Sequence, residues 1–220
     1  PEKNLVYAKR GVEVMKEAVA IQPSFARLWI FLGGFTTVEA SVEKDPAKKA
    51  ALLVEAGAYL KKASELAPDH QELITEQIKT DMILKDYPAM QKNAQKCTDI
   101  YPEVGQCYFL RALSKIYLND MAGSQKDMEL ATTKNFDIGS ITALNQLVGA
   151  YSETKQYPEL AKAYQELILR RPNIPDYHAS LAFTYQQMGQ YAKARQEALI
   201  FLEMMPSAKD EVNAFLKTLP

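Results

Sequence analysis

The sequence predicts an all-α solenoid of antiparallel helix pairs, on three observations: prolines at a nearly constant interval, helical apolar periodicity between them, and small residues where paired helices would touch. Pro68 to Pro102 is 34 residues, and Pro172 to Pro206 is 34 again. Counting 34 on from Pro102 reaches Phe136, which ends the similar stretch MELATTKNF, and a further 36 reaches Pro172. Each mark closes a segment that reads as a helix: VMKEAVAIQP, LKKASELAP, AQKCTDIYP, YQELILRRP and ALIFLEMMP. Proline stops the helix there, because it lacks the amide donor and restricts the residue before it. A period of this length marks stacked units that cannot bury their apolar faces singly.

Taken in order, residues 1–23 read as one long leading helix, since no turn signal interrupts them before Pro23. Residues 24–68 form a first helix pair with Trp29, Leu32 and Gly33 early and Ala56, Leu60 and Ala63 late. Pro23 to Pro68 is 45 residues, an excess of 11 over the period, which is close to three helical turns and lengthens both helices while keeping their faces in phase. Asp45 as N-cap and Pro46 at the first helical position mark the second long helix, so a protruding hairpin is expected around residues 41–49.

The pairs at 69–102, 103–136 and 137–172 are looser. Ile74, Gln77 and Ile78 stand where the first of them lacks the early Trp and Gly, and two extra residues precede the last. The pair at 173–206 is the clearest. Leu181, Ala182 and Tyr185 share one face of its first helix, Ala194, Ala198 and Phe201 one face of its second, and Gly189 stops the chain between them. Gly33, Ala112 and Ala182 are expected where a first helix touches its second, with Ala56 and Ala194 opposite, because a larger side chain would push the pair apart. Residues 207–220 read as a capping helix: Asp210, Glu211, Asn213 and Lys217 stay wet while Val212, Phe215 and Leu216 cover the last pair.

This pattern resembles the tetratricopeptide repeat, whose first helix carries Trp, Leu, Gly and Tyr and whose second carries Ala, an aromatic, Ala and Pro. The resemblance covers nearly the whole chain and implies a right-handed superhelix of about five full repeats over a single domain, 1–220. It also implies a concave groove lined by fixed positions of each first helix. Carried onto this sequence, these are Arg27, Ile30 and Thr37, then Glu72, Thr75, Lys79 and Met82, then Gln106, Phe109, Leu113, Ile116 and Tyr117. The last two repeats add Thr142, Asn145 and Ser152, then Asp176, Phe183 and Gln186. Phe109, Leu113 and Ile116 make an apolar strip suited to a peptide with a few apolar anchors, and equally suited to packing between repeats. The paired Lys and Asn residues that clamp a terminal carboxylate in chaperone-binding relatives are absent, Lys79 and Asn145 being isolated.

Composition narrows the function further. Apolar residues make up 47% and charged residues 24%, ordinary for a folded chain. With 26 basic and 27 acidic side chains, scattered without long runs, nucleic acid is not an expected partner. No run of about 18 apolar residues is present, so no membrane insertion of this segment is expected. The compartment stays open, cytoplasmic or membrane-associated.

Signatures of phosphate binding, nucleophilic catalysis or zinc hydrolysis are missing, so neither enzymatic activity nor a cofactor is expected. His70 and His178 have no further ligand at metal spacing, and His178 stands where its repeat carries an early aromatic, so a packing role is expected. Cys97 and Cys107 flank the turn at Pro102, where a disulfide is geometrically open to them, although two buried thiols are the preferred reading.

The expected function is therefore a non-catalytic scaffold that binds a protein or peptide segment in its groove. The alternative is an accessory domain tethered to an upstream membrane domain. For that, NLVYAKRGVEVMKEAVAIQPSFARLWIFLGGFT, the lengthened repeat, and YHASLAFTYQQMGQYAKARQEAL are similar to the repeat region of bacterial O-antigen polymerase or ligase-like proteins.

Overall fold

The computed structural model describes the backbone of residues 2–220 and the side chains from Leu5 onward. Pro1, the start of the expected leading helix, lies outside the described residues. Every regular element among those described is helical: α1 Glu2–Ile21, α2 Ala26–Val42, α3 Pro46–Leu66, α4 Gln71–Leu84, α5 Tyr87–Ile100, α6 Gly105–Tyr117, α7 Met121–Thr133, α8 Ile141–Glu153, α9 Tyr157–Arg170, α10 Pro175–Gln187, α11 Tyr191–Met204 and α12 Lys209–Lys217, the last entered by a 3-10 turn at Pro206–Ala208.

The helices fall into two compact units, one from the N-terminus to Leu118 with Ala122–Phe136, the other Asn119–Met121 with Asp137–Pro220. The division at Phe136 coincides with a repeat boundary read from the prolines. Within the first unit α1 packs on α2, α2 on α3, α4 on α5 and α5 on α6, and the first helices α2, α4 and α6 are neighbours in turn. Within the second, α8 pairs with α9, α9 with α10, α10 with α11 and α11 with α12.

Local chemistry sets these boundaries. Asp45 caps α3 by accepting from the amides of Ala47 at 2.9 Å and Lys48 at 3.3 Å, with Pro46 in the first turn. Lys85, Asn119, Lys155 and Gly189 close the first helix of four successive repeats in the left-handed region, with φ of 58°, 60°, 58° and 69°. They recur at 34, 36 and 34 residues, the proline spacing over again. Helix α2 has 17 residues and α3 has 21, against 13 or 14 in every later repeat helix.

Close approach explains the small residues. A Cβ on Gly33 would stand 2.7 Å from Leu60 Cδ2 and 3.4 Å from the Ala56 carbonyl oxygen, where α2 crosses α3. At Gly105 the obstacle is backbone: a Cβ would meet the carbonyl oxygens of Ala131 at 2.6 Å and Lys134 at 2.8 Å, so α6 can begin there only with glycine.

Two expectations from sequence are corrected or sharpened here. Cys97 and Cys107 are joined by a disulfide, with Cα atoms 5.3 Å apart, and are not two free thiols. The turn at Pro102 folds α6 back against α5 and brings the two side chains face to face, both wholly buried. His178 is buried as expected, but its Nδ1 lies 2.7 Å from Glu197 Oε2, so it packs as half of a polar pair between α10 and α11.

Candidate binding groove

The groove positions on α2, α4 and α6 are largely closed. Ile30 is 0% exposed and packs with Leu60, Ala63 and Leu73. Phe109 at 1% and Leu113 and Ile116 at 0% are equally enclosed, and Phe109 stacks on Phe136 with ring centroids 4.8 Å apart. The apolar strip is therefore packing and not groove lining, a correction to half of the sequence reading. A side chain without accessible surface has no contact left to offer a ligand. Thr37 and Thr75 are buried too, the Thr37 hydroxyl 3.1 Å from that of Thr80.

The polar positions nearby are partnered. Arg27 donates through Nε and Nη2 to the Glu72 carboxylate at 3.1 and 3.2 Å, tying α2 to α4. Lys79 donates to Glu76 at 2.6 Å. Tyr117 stacks on Tyr87 with centroids 4.3 Å apart, while Met82 and Gln106 are half-buried.

The second unit is open where the first is closed. Thr142, Asn145 and Ser152 on α8 are exposed, as are Asp176 and Phe183 on α10, whereas Gln186 donates to Thr218 Oγ1 at 2.8 Å. Phe183 has 54% of its surface exposed and forms one wall of an open cleft of about 450 Å³. Ala179, Ala182 and Ala198 make the floor, and Phe201 and Phe215 the other aromatic walls. Val212 and Glu211 of α12 complete it.

The cleft exists because three alanines stand where larger side chains would fill the angle between α10, α11 and the short α12. Phe201, Phe215 and Glu211 did not enter the groove inferred from sequence, since the positional rule looks only at first helices. The available signal was the run of alanines opposite phenylalanines. Among the described residues no group of three His, Cys, Asp or Glu is placed to hold a metal ion, and no helix is long and apolar enough to cross a membrane.

Stacked antiparallel helix pairs at this period define a helical-repeat protein, a class that generally serves as a non-catalytic scaffold for protein–protein interaction. A family model for the tetratricopeptide repeat matches residues 163–196, and the fold of the described helices is that of tetratricopeptide-repeat solenoids. Among solved structures it is similar to YrrB, described as a TPR protein with an unusual peptide-binding site, at 14% identity and TM-score 0.55 over 94% of this chain and 100% of that one. It is likewise similar to a tetratricopeptide repeat protein from Parabacteroides merdae, at 17% identity and TM-score 0.63 over 92% and 77%. Cut9–Hcn1, an APC/C hetero-tetramer, matches at 12% identity and TM-score 0.64 over 96% of this chain but only 39% of that one. No curated protein sequence matches. The resemblance to O-antigen polymerase or ligase-like proteins is not shown by any of these matches.

Proposed function

We propose that this protein is an interaction scaffold that binds a polypeptide segment along the exposed face of its last repeat, with one apolar side chain seated in the Phe183 cleft. The observation that carries this reading is the cleft itself, a preformed apolar recess on a helix face that is otherwise polar. Its floor is already dehydrated, so an incoming side chain gains burial at little cost in ordering. Glu211 on the lining, with Asp176 exposed about one turn before Ala179 on α10, favours a ligand with a basic residue beside the anchor. YrrB supplies a precedent for peptide binding on this fold. No observation favours the glycan-assembly alternative.

Peptides selected from a random library on the immobilised protein are expected to share an apolar or aromatic anchor. Phe183→Ser, at a position too exposed to matter much for folding, should weaken them about tenfold or more. Equal affinity for the variant would remove the reading.

The disulfide supports a working place in an oxidising compartment, where such bonds persist. Alkylation under denaturing conditions after rapid acid quenching of intact cells should leave Cys97 and Cys107 unlabelled, and labelling of both without prior reduction would place the protein in a reducing compartment instead.

A further inference from the structure

A second, open cleft lies between α3, α4 and α5. Its α4 side is formed by Gln77, Asp81 and Leu84, about half a turn round the helix from Glu72, Thr75, Lys79 and Met82. It is therefore separate from the groove positions. Leu53, Leu60 and Leu84 give aliphatic walls, Ser64 and Gln77 give side-chain oxygens, and Asn93 donates through Nδ2 to Asp81 Oδ2 at 2.7 Å. Gly57 leaves the space open, since a Cβ there would meet nothing within 4 Å.

Comparison of the repeats shows what is missing. Asp81 lies ten residues into α4, the position of Lys115 in α6, Tyr151 in α8 and Tyr185 in α10. In the last two repeats the slot is filled by a buried tyrosine, 7% and 5% exposed. In α6 it is filled by charge: Lys115 and, four residues earlier, Arg111 both bind the Asp127 carboxylate, at 2.8 and 2.6 Å. The repeat of α4 has the carboxylate Asp81 in the place of Lys115 and the amide Asn93 in the place of Asp127, and among the described residues no cation binds Asp81.

Burial pushes the Asp81 carboxyl up from its ordinary range, the Asp86 charge adds to this, and the Asn93 hydrogen bond opposes it. Lys61, the cation on the lining, acts on Glu65 and does not act on Asp81. The cleft thus holds a carboxylate that is bonded to a neutral amide and to no cation, with open space beside it.

We infer that this cleft binds a lysine or arginine side chain of a partner polypeptide. The aliphatic stem lies along Leu53, Leu60 and Leu84, and the charged head meets Asp81, as Arg111 and Lys115 meet Asp127 one repeat on. A polypeptide, and not a small free amine, fits the surroundings: Leu84 on the lining is 53% exposed, Val54, 76% exposed, lies about one turn before Gly57 on α3, and the two offer apolar surface beyond the reach of one side chain. The assignment is independent of the Phe183 cleft.

The test is an NMR titration of the Asn93 side-chain amide with capped lysine and with capped norleucine, at neutral pH. Lysine should give a saturable shift and norleucine none. Asp81→Asn should lose the response, and its fold is secure because the change removes a charge that has no cationic partner. Gly57→Leu, which fills the cleft from an exposed helix position and keeps the carboxylate, should lose it too. A peptide with lysine between apolar residues should bind about tenfold more tightly than capped lysine. Equal affinity would overturn the polypeptide assignment, and a response that norleucine reproduces, or that survives Asp81→Asn, would overturn the site.

Discussion

Alanine in place of Asp127 is expected to cost the first unit about 3–5 kcal/mol of stability. The Asp127 side chain is 3% exposed and accepts from Arg111 Nε at 2.9 Å, Arg111 Nη2 at 2.6 Å and Lys115 Nζ at 2.8 Å. Arg111 and Lys115 are only 14% and 18% exposed, so deleting the carboxylate leaves two cations with little water to replace it. Arg111 also donates to Thr98 at 2.8 Å and Gln95 at 3.0 Å, which couples α5, α6 and α7 through one guanidinium. Faster hydrogen exchange throughout α6 and α7 would report the loss. Exchange unchanged from the parent protein would mean that the triad contributes nothing.

The same triad dictates a pH dependence. Burial pushes the Asp127 carboxyl up, but the hydrogen bonds from Arg111 and Lys115 outweigh it and hold the group below its ordinary range. A carboxyl depressed by folding contributes stability that is complete above its unfolded-chain value, about 3.9, and is lost as pH falls through the lower folded value. Acid unfolding of the parent protein should therefore steepen below about pH 4. Replacing all three residues by apolar ones of similar volume should be nearly neutral and abolish that component, because the triad's cost of desolvation disappears with it.

Reduction of Cys97–Cys107 is the second large effect, about 2–4 kcal/mol in the usual chain-entropy account for a loop of this kind. The bond closes a separation of 10 residues and is wholly buried between α5 and α6. Reductant should act slowly on the native protein and quickly once denaturant opens the unit. Fully reduced protein, or the Cys97→Ala, Cys107→Ala double variant, should unfold at a lower denaturant midpoint. Superimposable curves for oxidised and reduced protein would show that packing alone holds α5 to α6.

The two effects meet at one place in the fold, the junction of α5 with α6, and neither was read from sequence in its final form. Nothing in the sequence singles out Arg111, Lys115 and Asp127. Their spacing along the chain carries no sign that α6 and α7 bring all three together. Cys97 and Cys107 were recognised as neighbours across a turn, but the choice between thiols and a disulfide depended on how closely that turn folds.

The groove divides in the same manner. Phe183 was legible because its repeat follows the pattern closely, and it stays open because the positions beneath it are Ala179, Ala182 and Ala198. Phe109, Leu113 and Ile116 occupy equivalent positions on their own helix, yet they are enclosed by neighbouring helices and by Phe136.

By itself the sequence determined what is local: where each helix begins and stops, that the helices come in pairs of constant length with one lengthened exception, and which small residues let the pairs close. Those features depend on proline, caps, left-handed turn residues and apolar period, all of which act within a few residues of themselves. Only the tertiary structure decided which carboxylates are paired, which cysteines are joined and which apolar positions remain open, because burial is conferred by helices distant in sequence. Asp127 and Asp81 are both carboxylates set among packed helices of the first unit. One is sealed by two cations, and the other faces an open cleft.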